Sequence, residues 1–363
     1  MLEFKYIKNK YWQTFILSFL LAALLFLPIS LRDAMQGYVF HYAGDYNNQS
    51  MMFWQYANQF VKDGGTFSWE TDIGSSFVNS YSFPVLGSPL FWASSWIPSK
   101  WMPWAMVPLF CFKFAFAGAG GYLWVKRWVK NPDYAILAGI LYAFCGYNIY
   151  SIFYASFLDV TAMFPYLLTA LDDAIIDKKR NYFPIWVALN LLVNYYFFIG
   201  EAIFLTIYFI FMLIGKKYTL TIKMFLRMAL ETIIGVTMGA VLVVPAAISL
   251  LQNPRVSSFL NDYEFVVYDE PQKYMAILAS LFIMPDAPYQ NTLFSQSGTQ
   301  WQNVTAYLPV VGITGGLALY RANRKHPFAQ ILKFCLICAF VPMLNALFTL
   351  ENARYYARWF YMP

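Results

Sequence analysis

The amino-acid sequence predicts an all-α polytopic membrane protein, a helical bundle of about nine transmembrane helices carrying two large extracytoplasmic loops. Three observations carry that prediction. Apolar runs of roughly 20 residues, the length a helix needs to cross a bilayer, recur along the chain. Hydrophobic residues make up 60% of the 363 and charged residues only 12%, against roughly 25% charged in a soluble domain. Lys and Arg gather in alternate connections, the asymmetry that sets orientation during insertion.

The first apolar run, residues 11–31, follows Lys5, Lys8 and Lys10. It is longer than a secretory signal core and no small-residue cleavage pattern closes it, so it reads as an uncleaved span with the amino terminus inside. Further spans are expected at 104–125, 134–150, 156–171, 183–198, 199–214, 228–251, 304–320 and 328–350. The stretch 183–214 is too long for one helix and short for two, and is drawn as two short helices bent around Gly200. Alternating the spans puts sixteen Lys and Arg inside, seven outside, and Lys113 and Lys333 within spans. The topology is therefore self-consistent.

Outside lie a first loop, 32–100, and a second, 252–303, whereas every inside connection is short. Both loops are rich in Trp, Tyr, Phe and Pro, a composition for packing and not for linkers. The working face is therefore expected outside. No internal repeat is visible, so an inverted-repeat transporter gains no support from symmetry. The terminal run "ARWFYMP" reads like the start of another span, and the chain is expected to be partial.

The net charge of +6 is strung between apolar runs without a continuous stripe, which gives no sign of nucleic-acid binding. The four cysteines, Cys111, Cys145, Cys335 and Cys338, all sit in apolar runs. They read as small buried hydrophobes, with no disulfide framework and no metal motif. Nucleotide-binding loops, zinc motifs and serine-nucleophile motifs are missing from the sequence as well.

Several polar residues stand out against this apolar background. Asp45, in "HYAGDYNNQS", follows the first span at the outer surface, where it either accepts a proton from a hydroxyl or caps a helix starting at Tyr46. Glu70, Asp72 and Tyr81 lie in "FSWETDIGSSFVNSYSFPVLGSP", able to hydrogen-bond a sugar or phosphate, or merely solvated. Asp159 falls at the outer side of the fourth span, where an ionisable group is costly and faces a cavity or a partner. Glu201, beside Gly200, lines the same cavity or sits at the interface. Lys113 can snorkel outward to hold a lipid phosphate. Arg354 and Arg358, four residues apart, share a helix face and suit bidentate phosphate binding or interfacial anchoring.

The segments "GDYNNQ", "GSSFVNSYSFPVLGSPL", "LYAFCGYNIY" with "FLDVTAMFPYLL", and the terminal "ARWFYMP" together resemble the YfhO family of bacterial membrane proteins over nearly the whole chain. The resemblance implies a GT-C-like bundle in the bacterial cytoplasmic membrane. It also implies an activity: transfer of a sugar from a polyprenyl-phosphate donor to an extracytoplasmic cell-envelope glycopolymer such as teichoic acid. On that resemblance Asp45 takes the place of the first-loop catalytic aspartate, and Asp159 matches an acidic residue of the second outer loop. Lys113, Arg354 and Arg358 become candidates for stabilising the departing lipid phosphate. A divalent cation, Mg or Mn, held by Asp45 and Asp159 could share that work. Members of the family are longer, which implies later spans and a C-terminal outer region. The alternatives are a transporter or flippase of lipid-linked saccharides, or a structural scaffold for envelope assembly.

Overall fold

The computed structural model describes residues 9–250, 262–309, 312–350 and 357–363, and every regular element among them is helical. The elements are α1 (Lys10–Met35), α2 (Met51–Lys62), α3 (Phe77–Tyr81), α4 (Pro89–Ser94), α5 (Met102–Val125), α6 (Pro132–Ala143), α7 (Gly146–Tyr150) and α8 (Phe157–Ile175). They continue with α9 (Phe183–Val193), α10 (Tyr195–Ile214), α11 (Ile222–Leu250), α12 (Gln272–Ala279), α13 (Gly312–Ala322), α14 (Pro327–Phe340) and α15 (Pro342–Leu347).

Four helices, α1, α5, α10 and α11, are long and apolar enough to cross a membrane. Their surfaces agree with that setting. Leu24 of α1 is 72% exposed and Val241 of α11 is 78% exposed, each within a run of exposed aliphatic and aromatic residues. Such a belt would drive aggregation in water, but in hydrocarbon it is the ordinary outer face of a bundle.

Helix α5 is the centre. It packs against α1, α6, α8 and α2, and its lining from Met106 to Tyr122 is buried almost throughout. Small residues allow the close approach to α6: a Cβ on Gly139 would collide with the carbonyl of Gly118, as expected where helices associate by backbone proximity.

Side-chain pairing divides the bundle into two ends. At one, Lys10 at the start of α1 pairs with Asp133 at the start of α6, Arg127 after α5 pairs with Asp173 in the last turn of α8 and with Asp177 just beyond it, and Arg227 of α11 donates to the carbonyl of Ala174 at 2.8 Å. This is the basic end. The other is the loop end, where residues 36–101 fold onto α1 and α5 as a small helical unit. Its own core stacks Phe60 on Phe77 with centroids 3.9 Å apart and Phe77 on Tyr81 at 5.0 Å. Phe40 and Tyr46 close over Phe26 and Phe110 of the bundle.

Four expected boundaries are corrected. The helices around 183–214 break at Asn194, which is extended (φ −164°, ψ 98°) and accepts from the backbone N–H groups of Tyr196 and Phe197. Gly200 lies inside α10, pressed against the carbonyl of Phe348. The run 134–150 is divided into α6 and α7, with Asn148 donating to the carbonyls of Tyr142 and Ala143 across the break. The run 328–350 breaks before Pro342, whose ring cannot continue the α14 hydrogen-bond ladder. Among the described residues of the expected span 304–320, the helix begins at Gly312 and runs on to Ala322, residues 304–309 being irregular. Residues 357–363 form buried turns: Trp359 stacks on Phe348 at 4.2 Å and donates to Asn345 at 2.7 Å. The four cysteines are free and buried.

Candidate functional site at the loop end

The end of α1 sets the direction of the first loop. Asp33 is fully buried there. It accepts from Arg32 at 3.0 Å, lies 3.1 Å from His41 Nδ1 and receives the His41 N–H at 3.4 Å. The carboxylate thus ties the chain on both sides of the turn at Gly37. Sequence reasoning missed it, because an Arg-Asp pair after an apolar run has no distinguishing spacing.

The chain then reaches Gly44, whose φ of +43° is left-handed and whose Cα faces the ring of Phe153 so closely that a Cβ would lie 2.6 Å from it. Glycine is needed here on both counts. Asp45 follows, half-buried, in helical conformation and without a capping hydrogen bond. The helix-cap alternative is therefore not what its side chain does. No ion pair or hydrogen bond engages the carboxylate among the described residues, and burial lifts its pKa above the ordinary carboxylate value.

Aromatic contacts join this turn to the second loop. Tyr42 packs edge-on against Tyr289 with centroids 5.6 Å apart, and Phe153 lies 5.4 Å from Trp301. Tyr150 interacts electrostatically with both Tyr42 and Arg358. Arg358 places its guanidinium 5.1 Å from the Phe157 ring, 5.2 Å from Tyr196 and 5.8 Å from Phe197, within cation–π range. The backbone carbonyl of Arg358 accepts from Tyr147 at 3.0 Å. Two chain segments far apart in sequence, around Tyr42 and around Arg358, therefore both come within electrostatic reach of Tyr150 at the end of α7.

Asp159 and Lys113 are brought together, but with each other. The ammonium lies 2.9 Å from Asp159 Oδ2, donates to the carbonyl of Ala155 at 2.8 Å, and sits 4.9 Å from the Trp54 ring of α2. Both side chains are about 1% exposed. The ammonium is consumed by this pair, so Lys113 neither snorkels nor reaches a lipid phosphate in this arrangement. Asp159 Oδ1 has no hydrogen-bond partner among the described residues.

Glu201 is buried and accepts from the Tyr361 hydroxyl at 2.9 Å. Tyr81 belongs to the first-loop core; burial, with the charge of Asp72 and the Tyr56 hydroxyl nearby, pushes its pKa up to about 12. Glu70 and Asp72 are exposed on the same loop, with Asp72 close enough for its charge to reach Tyr81. Arg354 lies outside the described residues.

A divalent ion shared by Asp45 and Asp159 does not fit the described donors. One oxygen of Asp159 is occupied by an ammonium, and no group of three or more His, Cys, Asp or Glu side chains assembles among the described residues.

A cavity of about 60 Å³ beside Tyr150 is lined mainly by the second loop, from Ala276 to Val304. It can hold a few waters, far below the roughly 300–1,000 Å³ of pockets that enclose small ligands.

No curated protein and no solved structure matches this chain. The family model described as bacterial membrane protein YfhO matches residues 14–362, and the protein belongs to that family.

Proposed function

We propose that this protein is a membrane glycosyltransferase of GT-C type, with about nine spans and the loop end facing outward from a bacterial cytoplasmic membrane. It moves a sugar from a polyprenyl-phosphate donor onto a hydroxyl of a cell-envelope glycopolymer. The observation that carries this reading is Asp45: a half-buried carboxylate without a cation beside it, held by Gly44 and Phe153 where the first loop, α7 and the second loop meet.

In this mechanism Asp45 takes the proton of the acceptor hydroxyl as its oxygen bonds to the anomeric carbon, and the carbon–oxygen bond to the lipid phosphate breaks. Arg358, set among the rings of Phe157 and Tyr196, is the cation proposed to stabilise the departing phosphate in surroundings of low dielectric. Lys113 and Asp159 take a positioning role: their pair fixes Trp54, and through α2 the turn that carries Asp45. The small cavity beside Tyr150 implies that donor entry separates the second loop from α7.

Replacing Asp45 by Asn should abolish wall-polymer glycosylation in cells that make normal amounts of the protein. Unchanged glycosylation at that protein level would rule out Asp45 as the base.

One observation favours a second reading, a transporter or flippase of lipid-linked saccharides. Glu201 is buried in α10 with Oε2 unpartnered among the described residues, as a proton-coupling carboxylate could be. That reading predicts that Glu201→Gln stops lipid-linked saccharide movement while Asp45→Asn leaves it intact.

A further inference from the structure

At the basic end a cleft of about 820 Å³ opens between the end of α5, the start of α6, the end of α8 and the start of α9. Its walls have three different chemistries. One side is an ion network: Arg127 binds Asp173 and, at 2.8 Å, Asp177, while Lys179 binds Asp173 at 2.9 Å. These two cations and two carboxylates cancel, so the network holds α5 to α8 without adding net charge.

A second side is apolar and rigid. Tyr166 stacks on Trp186 with centroids 4.7 Å apart and planes 12° apart, and the Tyr166 hydroxyl is fixed by the Phe116 carbonyl and the Tyr11 hydroxyl. Third, the rim carries Lys126 and Lys130. Both are exposed and line the cleft, and no carboxylate among the described residues pairs with either. Lys126 sits over the ring of Tyr122, another lining residue, at 5.6 Å, which keeps its ammonium at the cleft rim.

An aromatic floor continuous with apolar helices, under a rim with two uncompensated ammonium groups, matches an amphiphile whose phosphate lies at the membrane surface and whose chains enter hydrocarbon. We propose that this cleft binds the phosphodiester headgroup of an anionic glycerophospholipid, with Lys126 and Lys130 on the phosphate and the Tyr166–Trp186 stack against the glycerol and upper chains. This site lies at the opposite end of the bundle from Asp45 and is independent of the transferase reading.

The test uses the full chain purified in detergent and placed in nanodiscs of phosphatidylcholine with graded phosphatidylglycerol. Retained lipid is read by native mass spectrometry after extraction. The parent should retain phosphatidylglycerol selectively, and Lys126→Gln/Lys130→Gln should lower that retention at least about tenfold. A control pair, Lys216→Gln/Lys217→Gln, removes the same charge elsewhere at this end and should retain lipid like the parent. Equal retention by the Lys126/Lys130 variant, or an equal loss in the control pair, overturns the proposal. Displacement of the lipid by millimolar inorganic phosphate would assign the cleft to free phosphate and overturn the lipid assignment. Both lysines are exposed, so the variants should melt with the parent.

Discussion

Lys113 donates to Asp159 across 2.9 Å with both side chains withdrawn from solvent, and the same ammonium sits over the Trp54 ring of the first loop. Removing one partner of a buried pair leaves an uncompensated charge and costs about 3–5 kcal/mol, whereas removing both together costs far less. Lys113→Met alone should therefore destabilise the purified protein by about 3 kcal/mol or more, and Lys113→Met/Asp159→Leu should recover much of that loss in thermal unfolding. Strict additivity of the two substitutions would show that the pair is not a unit. Sequence reasoning marked Asp159 as costly in an apolar setting and let Lys113 snorkel outward, whereas the two pair with each other across 46 positions. Neither residue's spacing reveals the other. Asp33 escaped notice for the same reason, since its partners Arg32 and His41 become meaningful only once the chain turns at Gly37.

Helices themselves were legible wherever apolar runs were long, as at α1, α5 and α11, because lipid exposure and burial both select the same residues. Their interruptions were less legible. The break before α10 comes from Asn194, a residue whose short side chain satisfies two helix-initial N–H groups. Within this apolar stretch Asn194 was the available signal, although Asn190 one turn earlier looks alike in sequence, and Gly200 was a false one. Asn194→Ala should lower stability by about 1 kcal/mol, and Asn194→Asp, which can make the same cap, should stay close to the parent. Indistinguishable unfolding of the Ala variant would mean that packing alone sets the break. The first-loop helices α2 to α4 were foreseeable only as an aromatic-rich loop of unusual length; their core depends on stacking between Phe60, Phe77 and Tyr81, which periodicity over so few residues does not encode.

The whole molecule separates its chemistry between two ends of a helical bundle with lipid-like outer faces. Ion networks and the cleft with Lys126 and Lys130 hold the basic end. Aromatic contacts join the two long loops at the other, around Asp45 and Arg358. That arrangement was partly readable in the alternating distribution of Lys and Arg, whereas the convergence of the segments around Tyr42 and Arg358 on Tyr150 of α7 required the folded chain. If sugar transfer occurs at the loop end, it depends on an ionised Asp45, and the upward shift of that carboxylate places the acid limb of the rate above the ordinary value of about 3.9. The most direct measurement is the rate of sugar transfer by the purified protein from a polyprenyl-phosphate-sugar donor to a glycopolymer acceptor, compared across pH with Asp45→Asn. The account predicts a loss of at least about a hundredfold with donor binding retained, and a parental rate that falls as pH drops through the raised pKa. Equal rates for the two proteins, or a parental rate that does not fall at low pH, would contradict it.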